Sequence, residues 1–241
     1  MKKFSYILLL LATAMSAHAQ QMITFPSKDG VTITADEYIT NDTLPYMILC
    51  HQAGYSRGEY LESAKRFQKL GYNCLAIDQR SGKSINGERN ETAFAALGEG
   101  KPTSYLDAEQ DIIAAIDYVY AKSKKKVILT GSSYSASLVL KIATDNDKVK
   151  AVMAFSPGEY FGDKLNLRAT IKDLDKPVFV TSTQEEAANV KTLMQDVKST
   201  RKTQFVPANI GEHGSKTLWT SLNPNNQEYW LAVILFTQKL K

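Results

Sequence analysis

The chain has 241 residues, 44% of them hydrophobic and 22% charged, and its formal net charge at pH 7 is +4. A chain of this size can form one domain with a substantial core, and its near balance of charge gives no reason to expect nucleic acid or a membrane surface as a partner. Two cysteines are too few for a disulfide scaffold or a structural zinc site. Cys50 and Cys74 both lie in apolar runs, so we expect buried free thiols, although an exported chain could join them.

Residues 1–19 have the pattern of a secretory signal peptide. Two lysines near the start are followed by the apolar run Ile7–Ala12 and by Ala17-His18-Ala19, a typical cleavage site. The apolar run is shorter than the ~20 residues that a bilayer span needs. We therefore expect cleavage near Ala19, a periplasmic or extracellular domain of residues 20–241 with a formal charge of +2, and no stable membrane insertion.

The mature chain begins with a predicted β-hairpin, Ile23–Phe25 and Val31–Ile39, in which apolar and polar residues alternate on both sides of a glycine-containing turn. After it, short apolar runs typical of buried strands alternate with helical stretches. The strands are predicted at Tyr46–Cys50, Tyr72–Asp78, Val127–Thr130, Val149–Phe155, Val178–Ser182 and Gln204–Val206, and the helices at Tyr60–Leu70, Tyr105–Lys122, Tyr134–Thr144, Glu185–Lys198 and Pro224–Lys239. This alternation predicts an α/β fold whose mostly parallel sheet carries helices on both faces.

Two segments between these elements are predicted to be irregular. Gln79–Thr103 is rich in Gly, Asn and charged residues, and a loop of that length is usually functional or mobile. Ser156–Leu174 is shorter and leaves little material for a lid. At the start of the next helix, Ser104 and Asp107 resemble a capping box.

The most informative motif is G-S-S-Y-S at residues 131–135, between a predicted strand and a predicted helix. A serine with small residues two positions before and after it, at such a turn, is typical of a nucleophile elbow, because strand and helix pass close together there. Ser133 meets this requirement, with Ser135 in place of the usual glycine, whereas Ser132 has the bulky Tyr134 two residues on. The alternative is that Ser133 is an ordinary helix N-cap.

Two histidines remain once the signal peptide is removed. His213 lies between small residues after the last predicted strand, which is where the chain order Ser, acid, His places a general base. His51 ends the first parallel strand, far upstream of Ser133, and we expect it to orient the adjoining loop. Without Ser133, His213 would be interpreted as a surface histidine.

The acid of such a triad should follow the strand that ends at Ser182, in a segment where Glu185 and Glu186 are the carboxylates. A carboxylate is needed there to accept the imidazole N–H. Glu186 has the better spacing and Glu185 is the alternative, while Glu159 is less favoured. Adjacent glutamates at a helix start also interact favourably with the helix dipole, so one of the two is expected to do only that.

Two backbone N–H groups are needed to bind an oxyanion. We expect one from Tyr134, at a helix N-terminus directly after Ser133, and one from Gln52, in a loop where Gly54 permits a sharp turn. The candidates to line a substrate site are Tyr134, Tyr55, Tyr160 and Phe161. The alternative for each of these aromatic residues is packing at the base of its loop.

The loop 51–54, the elbow 131–135 and the pair His213-Gly214 follow one another in the order found in the α/β-hydrolase family. The chain resembles this family, and within it the small, dienelactone-hydrolase-like members without a large lid domain. The stretch Asp78–Ser84 also resembles the D-x-R-G-x-G-x-S segment of that family, with Ser81 and Lys83 in place of two glycines. The resemblance covers the mature chain. It implies an eight-stranded sheet with a partly antiparallel hairpin, hydrolysis through an acyl-enzyme, and no metal or other cofactor.

The sequence therefore predicts an exported serine hydrolase that cleaves carboxylic esters, with Ser133 as nucleophile, His213 as base and Glu186 as its partner. Small acyl esters, acetylated sugars, lactones and peptides remain open as small-molecule substrates, and the oligomeric state is left open as well. The alternative is a non-catalytic binding protein that kept the fold. A separation of Ser133 and His213 beyond hydrogen-bond reach would favour that alternative.

Overall fold

The structure is a computed structural model that describes residues 20–240, so the predicted signal peptide lies outside the described residues. The strands are β1 (Gln20–Pro26), β2 (Thr32–Tyr38), β3 (Tyr46–Cys50), β4 (Asn73–Ile77), β5 (Ser84–Ile85), β6 (Glu88–Arg89), β7 (Val127–Ser132), β8 (Val149–Phe155), β9 (Val178–Thr181) and β10 (Lys202–Phe205). The helices are α1 (Ser63–Lys69), α2 (Glu91–Gly98), α3 (Glu109–Ser123), α4 (Tyr134–Asp145), α5 (Leu167–Thr170), α6 (Ala187–Leu193) and α7 (Asn226–Gln238).

Eight of the strands form one sheet in the order β1-β2-β4-β3-β7-β8-β9-β10. The hairpin β1–β2 is antiparallel and joins the sheet antiparallel to β4. The other six strands of the sheet, β4, β3, β7, β8, β9 and β10, are parallel. Cys50 pairs with Gly131, and Gly131 pairs with Ala154, so β3, β7 and β8 end at the same edge. The predicted fold class is confirmed, and the loops after these strands lie side by side.

Apolar side chains cover both faces of this sheet. Along β3, Ile48 and Cys50 lie in one buried cluster with residues of α3 and α4, whereas Met47 and Leu49 lie in a second cluster with residues of α1 and α7. Successive strand side chains point to opposite faces. A strand covered on both faces therefore needs apolar residues at every position, which explains the continuous apolar run that predicted it.

The two cysteines are buried and free, as predicted. Burial raises the pKa of both the Cys50 and the Cys74 thiol, because the interior disfavours the thiolate. Between residues 20 and 240, no helix is long and apolar enough to cross a membrane.

The prediction of one irregular segment at Gln79–Thr103 is wrong. It contains the two-stranded hairpin β5–β6 and the helix α2, whose N-terminus is capped by Asn90 through a 2.7 Å bond from the Ala93 N–H. The turn of the hairpin has positive φ at Asn86 and Gly87, the pattern that an Asn-Gly dipeptide favours. Strands of two residues are too short for a periodicity signal, although the dipeptide itself pointed to this turn.

The helix predicted from Tyr105 begins only at Glu109. The Asp107 carboxylate accepts the Ser104 N–H at 2.7 Å and its hydroxyl at 2.5 Å, so the expected side-chain bond forms. It closes a separate turn before α3 instead of capping the helix. The helix predicted from Tyr60 to Leu70 likewise begins only at Ser63, as α1, and a separate 3₁₀ turn, Arg57–Tyr60, precedes it.

Candidate active site

Ser133 occupies a strained turn between β7 and α4. Its backbone has φ 59° and ψ −124°, a conformation that costs energy for any residue with a side chain. The Ser133 N–H donates to the Phe155 carbonyl at 2.8 Å, which ties the turn to β8. A Cβ atom at Gly131 would lie 2.5 Å from the Ser135 carbonyl oxygen. The elbow therefore needs glycine two residues before Ser133, as the motif predicted.

Ser135 has a function that a glycine could not have. Its buried hydroxyl donates to the His51 carbonyl at 2.5 Å and accepts from the Gln79 side-chain amide at 2.8 Å. The same amide donates to the Tyr134 hydroxyl at 2.9 Å. The substitution thus links the first turn of α4 to the loop after β3.

The structure brings Ser133, His213 and Glu186 together. Ser133 Oγ lies 2.8 Å from His213 Nε2, and His213 Nδ1 lies 2.5 Å from Glu186 Oε1. Ser133 occupies the N-cap position of α4, but its hydroxyl bonds to His213 and makes no capping bond to the helix. Glu185 is exposed and forms no side-chain hydrogen bond with any described residue. The three residues follow β7, β10 and β9, at the edge where parallel strands end.

The electrostatics of Glu186 favour its charged form. Burial alone would raise its pKa, but hydrogen bonds from His213 and Ser156 outweigh that effect and lower the pKa to about 2. A carboxylate next to Nδ1 keeps the proton on that nitrogen. His213 Nε2 is then left to accept the proton of the Ser133 hydroxyl.

Ser156 is a site residue that the sequence analysis missed. It follows β8 in a left-handed conformation with φ 55°, and it is buried. Its hydroxyl donates to Glu186 Oε2 at 2.6 Å and accepts the Gly214 N–H at 3.0 Å. Ser156 therefore fixes Glu186 and the residue after His213 relative to each other. Its position at the end of a strand was the available signal, and serine is too common there to be noticed.

The prediction that Gln52 supplies an oxyanion donor is wrong. The Gln52 N–H donates to the buried carboxylate of Glu59 at 2.7 Å and is not available for a ligand. The next N–H, that of Ala53, makes no hydrogen bond within residues 20–240. Tyr134 is the first residue of α4, so its N–H has no acceptor within the helix. The available pair is therefore Ala53 and Tyr134, one residue away from the prediction.

His51 orients the loop after β3, as expected. It is fully buried, and burial lowers its pKa to about 4, although hydrogen bonds to the backbone act in the opposite direction. The neutral ring donates from Nδ1 to the Gln52 carbonyl at 2.8 Å and accepts the Gln79 N–H at Nε2, at 2.9 Å. Gly54, with φ 75°, completes the sharp turn. With both ring nitrogens occupied, His51 cannot act as a base.

The family model described as serine aminopeptidase S33 matches residues 43–223. The chain belongs to this hydrolase family. A search of curated protein sequences with this chain found no significant match.

Solved structures of other hydrolases share its fold at low sequence identity. An esterase of Pyrococcus furiosus is 18% identical, with a TM-score of 0.71 over 92% of this chain and 93% of the esterase. A dienelactone hydrolase of Anabaena variabilis is 13% identical, with a TM-score of 0.70 over 92% of this chain and 97% of that enzyme. An acylaminoacyl peptidase of Pyrococcus horikoshii is 15% identical, with a TM-score of 0.67 over 92% and 42% of the two chains. The predicted resemblance to small α/β-hydrolases is confirmed.

A cleft of about 460 Å³ borders the triad of this hydrolase on the side of Glu186. Tyr160, which is 36% exposed, lines it, and its hydroxyl donates to the Ser156 carbonyl at 2.8 Å. Phe161 does not line the cleft, because it is buried in the core cluster beneath the 156–174 segment. Tyr55 is half-buried in the loop after β3, outside this cleft. Of the predicted aromatic residues, Tyr160 is the one that lies between the cleft and the triad.

The Asp78–Ser84 segment of the hydrolase is structural. The Asp78 carboxylate accepts the N–H of Arg57 at 2.7 Å and its guanidinium at 2.9 Å. Arg80 is fully buried and pairs with Asp111 at 2.7 Å. The first ion pair joins the end of β4 to the loop after β3, and the second joins the segment after β4 to α3, so they support the site without being part of it.

Proposed function

We propose that this hydrolase is a serine-dependent enzyme that cleaves carboxylic esters through an acyl-enzyme. The single observation that carries the proposal is the 2.8 Å separation of Ser133 Oγ and His213 Nε2 at a strained elbow. A serine is a weak nucleophile unless a base lies within hydrogen-bond reach, and the base in turn needs a group that orients it. Glu186 meets the second requirement.

The proposed chemistry starts with attack of Ser133 Oγ on the ester carbonyl carbon while His213 Nε2 takes the hydroxyl proton. The carbonyl electron pair becomes an oxyanion, which accepts hydrogen bonds from the Ala53 and Tyr134 N–H groups. When the intermediate collapses, the alcohol leaves with the proton from His213, and the acyl group stays on Ser133. Water then repeats the sequence, with His213 removing its proton and returning one to Ser133.

An ester substrate is favoured over a peptide with a free amino terminus. The family description names an aminopeptidase, and such an enzyme must bind an ammonium group next to the acyl site. The two carboxylates that line the cleft are already engaged. Glu159 accepts the N–H groups of Leu167 and Arg168 at 2.8 and 2.9 Å, and Glu186 is bonded to His213 and Ser156. The cleft is also open, because the 156–174 segment forms only short turns around α5. Small or partly exposed acyl esters fit this arrangement.

The proposal is tested by hydrolysis of p-nitrophenyl acetate and butyrate beside leucine p-nitroanilide, with the wild type and Ser133→Ala. We expect ester turnover by the wild type, little anilide turnover, and loss of at least about 10⁴-fold in kcat for the variant. Equal circular dichroism spectra and melting temperatures would establish that both proteins are folded. Ester turnover that survives in Ser133→Ala would contradict the proposal, and a folded but inactive wild type would favour the binding-protein alternative.

We also propose that the hydrolase acts outside the cytoplasm. The support is the pattern of residues 1–19, a charged start, an apolar run and an A-x-A site. Expression of the full chain in a bacterial host, with sequencing of the protein from the periplasm, tests this directly. We expect an amino terminus at Gln20, whereas full-length protein retained in the cytoplasm would contradict it.

A further inference from the structure

Glu59 is a buried carboxylate that joins two loops of the site. It lies in the 3₁₀ turn Arg57–Tyr60 and is fully buried. Its Oε2 accepts the Gln52 N–H at 2.7 Å, and its Oε1 accepts the Ser215 hydroxyl at 2.6 Å. Gln52 belongs to the oxyanion loop, residues 51–55, and Ser215 belongs to the histidine loop, residues 211–219. One side chain therefore sets the distance between the two loops.

The same carboxylate is also adjacent to the nucleophile elbow. The Ser132 hydroxyl lies beside the carboxylate of Glu59 and accepts the Ser215 N–H at 2.8 Å. The Glu59 carbonyl accepts from the indole N–H of Trp219, at the end of the histidine loop, at 3.0 Å. The oxyanion loop, the nucleophile elbow and the histidine loop thus meet at Glu59, although it touches none of the reacting atoms.

The donors around Glu59 are neutral, and it forms no salt bridge with any described residue. Burial of a carboxylate without a cation is costly and raises its pKa. Such a group is retained only when several hydrogen bonds compensate. Here the bonds have a directional consequence, because an acceptor beneath the oxyanion loop fixes the Gln52 peptide group. That leaves the next N–H, of Ala53, free for a ligand.

We propose that Glu59 is a positioning residue of this site: by binding the Gln52 N–H and the Ser215 hydroxyl together, it orients the Ala53 N–H as an oxyanion donor. The proposal rests on the proposed function, since an oxyanion forms only if Ser133 attacks a carbonyl group. If Glu59 acts in this way, the length of its side chain decides whether the Ala53 N–H is correctly oriented, and its negative charge does not matter. A buried N–H that lost this acceptor would have to find another, and the loop would shift with it.

Two variants of Glu59 separate reach from charge. Glu59→Gln keeps the length, because the amide carbonyl can accept from Gln52 while the amide NH₂ donates to the Ser215 hydroxyl. Glu59→Asp keeps the charge but is one methylene group shorter and cannot bridge both partners. We expect Glu59→Gln to keep most of the wild-type kcat for p-nitrophenyl acetate. For Glu59→Asp we expect a loss of about 10²-fold, the usual effect of one lost oxyanion donor, with little change in KM.

The control is Glu37, another buried glutamate, whose carboxylate lies outside the site, where it accepts from the Tyr46 hydroxyl at 2.9 Å and pairs with Lys122 at 2.6 Å. Glu37→Asp should lower the melting temperature without changing kcat. A trifluoromethyl ketone, which mimics the tetrahedral intermediate, should lose affinity for Glu59→Asp in proportion to kcat. If Glu59→Asp only lowered the stability and left the oxyanion donors correctly oriented, the affinity for this inhibitor would not change.

Hydrogen exchange keeps this test independent of activity. In Glu59→Asp, exchange should rise in peptides covering both residues 51–60 and residues 211–219, whereas Glu59→Gln should match the wild type. This readout remains valid if the wild type hydrolyses no ester, which would overturn the proposed function alone. Equal kcat for all three proteins, a lower kcat for Glu59→Gln than for Glu59→Asp, or unchanged exchange in Glu59→Asp would overturn the positioning role.

Discussion

The hydrolase holds the carboxylates of its scaffold and of its site in two contrasting ways. Asp78 and Asp111 lie opposite the guanidinium groups of Arg57 and Arg80, in ion pairs of 2.9 and 2.7 Å. Around the triad, Glu186 instead accepts from His213 and two neutral groups, a serine hydroxyl and a backbone N–H. A cation beside Glu186 would offset the negative charge that stabilises an imidazolium on His213. The comparison indicates that ion pairs fix the scaffold, while neutral donors fix the site.

The largest expected effect on kcat comes from removing the negative charge of Glu186 in the site. Glu186→Gln keeps the size of the side chain but can present its NH₂ to His213 and so favour the wrong tautomer. We expect kcat to fall by about 10⁴-fold for p-nitrophenyl acetate, with little change in melting temperature. Glu185→Gln is the matched control and should behave as the wild type. Full activity of Glu186→Gln would show that the 2.5 Å contact is not used in catalysis.

Removing a cation from a scaffold ion pair should have the opposite effect, lowering stability while leaving kcat unchanged. Arg80→Met leaves Asp111 buried and unpaired, which typically costs about 3–5 kcal/mol of unfolding free energy. Chemical denaturation measures the loss, and kcat of the folded fraction should stay close to that of the wild type. A stable Arg80→Met variant with a much lower kcat would erase the distinction between scaffold and site.

Ser156→Ala tests one of the neutral donors to Glu186 within the site. It removes the 2.6 Å bond to Glu186 and leaves the Gly214 N–H without its acceptor, a loss of about 1–3 kcal/mol for a buried donor. We expect kcat to fall by roughly 10-fold, because both Glu186 and the histidine loop become less well oriented. The control is Ser199→Ala, which removes a 2.7 Å bond to the Lys176 carbonyl outside the site and should leave kcat unchanged.

The smallest expected effect is the dependence of stability on pH. The pKa of Glu186 is about 2 in the folded protein against 4.5 ordinarily, so its ionisation stabilises the fold above pH 4.5. That contribution is lost as the pH falls from 4.5 toward 2. Wild type and Glu185→Gln should therefore lose more melting temperature over this range than Glu186→Gln. A third of the Glu186 side chain is exposed, so solvent screening keeps the difference small.

The sequence predicted the strands of the main sheet and missed the parts that depend on contacts between distant segments. Strands such as β3 and β8 are continuous apolar runs because both faces are covered. Ser133 and His213 were predicted from local spacing and from the small number of histidines, and their side chains lie 2.8 Å apart. Ser156 acts only through Glu186 and Gly214, and Glu59 only through Gln52 and Ser215, which are far apart in the chain.

The error at Gln52 has the same origin. The resemblance locates the oxyanion loop, but which N–H faces a ligand depends on which one is bound inside the protein. Glu59, seven residues further on, takes the Gln52 N–H and leaves that of Ala53. No property of either loop residue indicates this choice.

The most direct test of an activated Ser133 is labelling of the mature protein with a fluorophosphonate, followed by intact mass and peptide mapping. We expect one adduct per chain, located on Ser133, and no labelling of Ser133→Ala or His213→Ala at the same probe concentration. A folded wild type that takes no label, or an adduct on another residue, would contradict it.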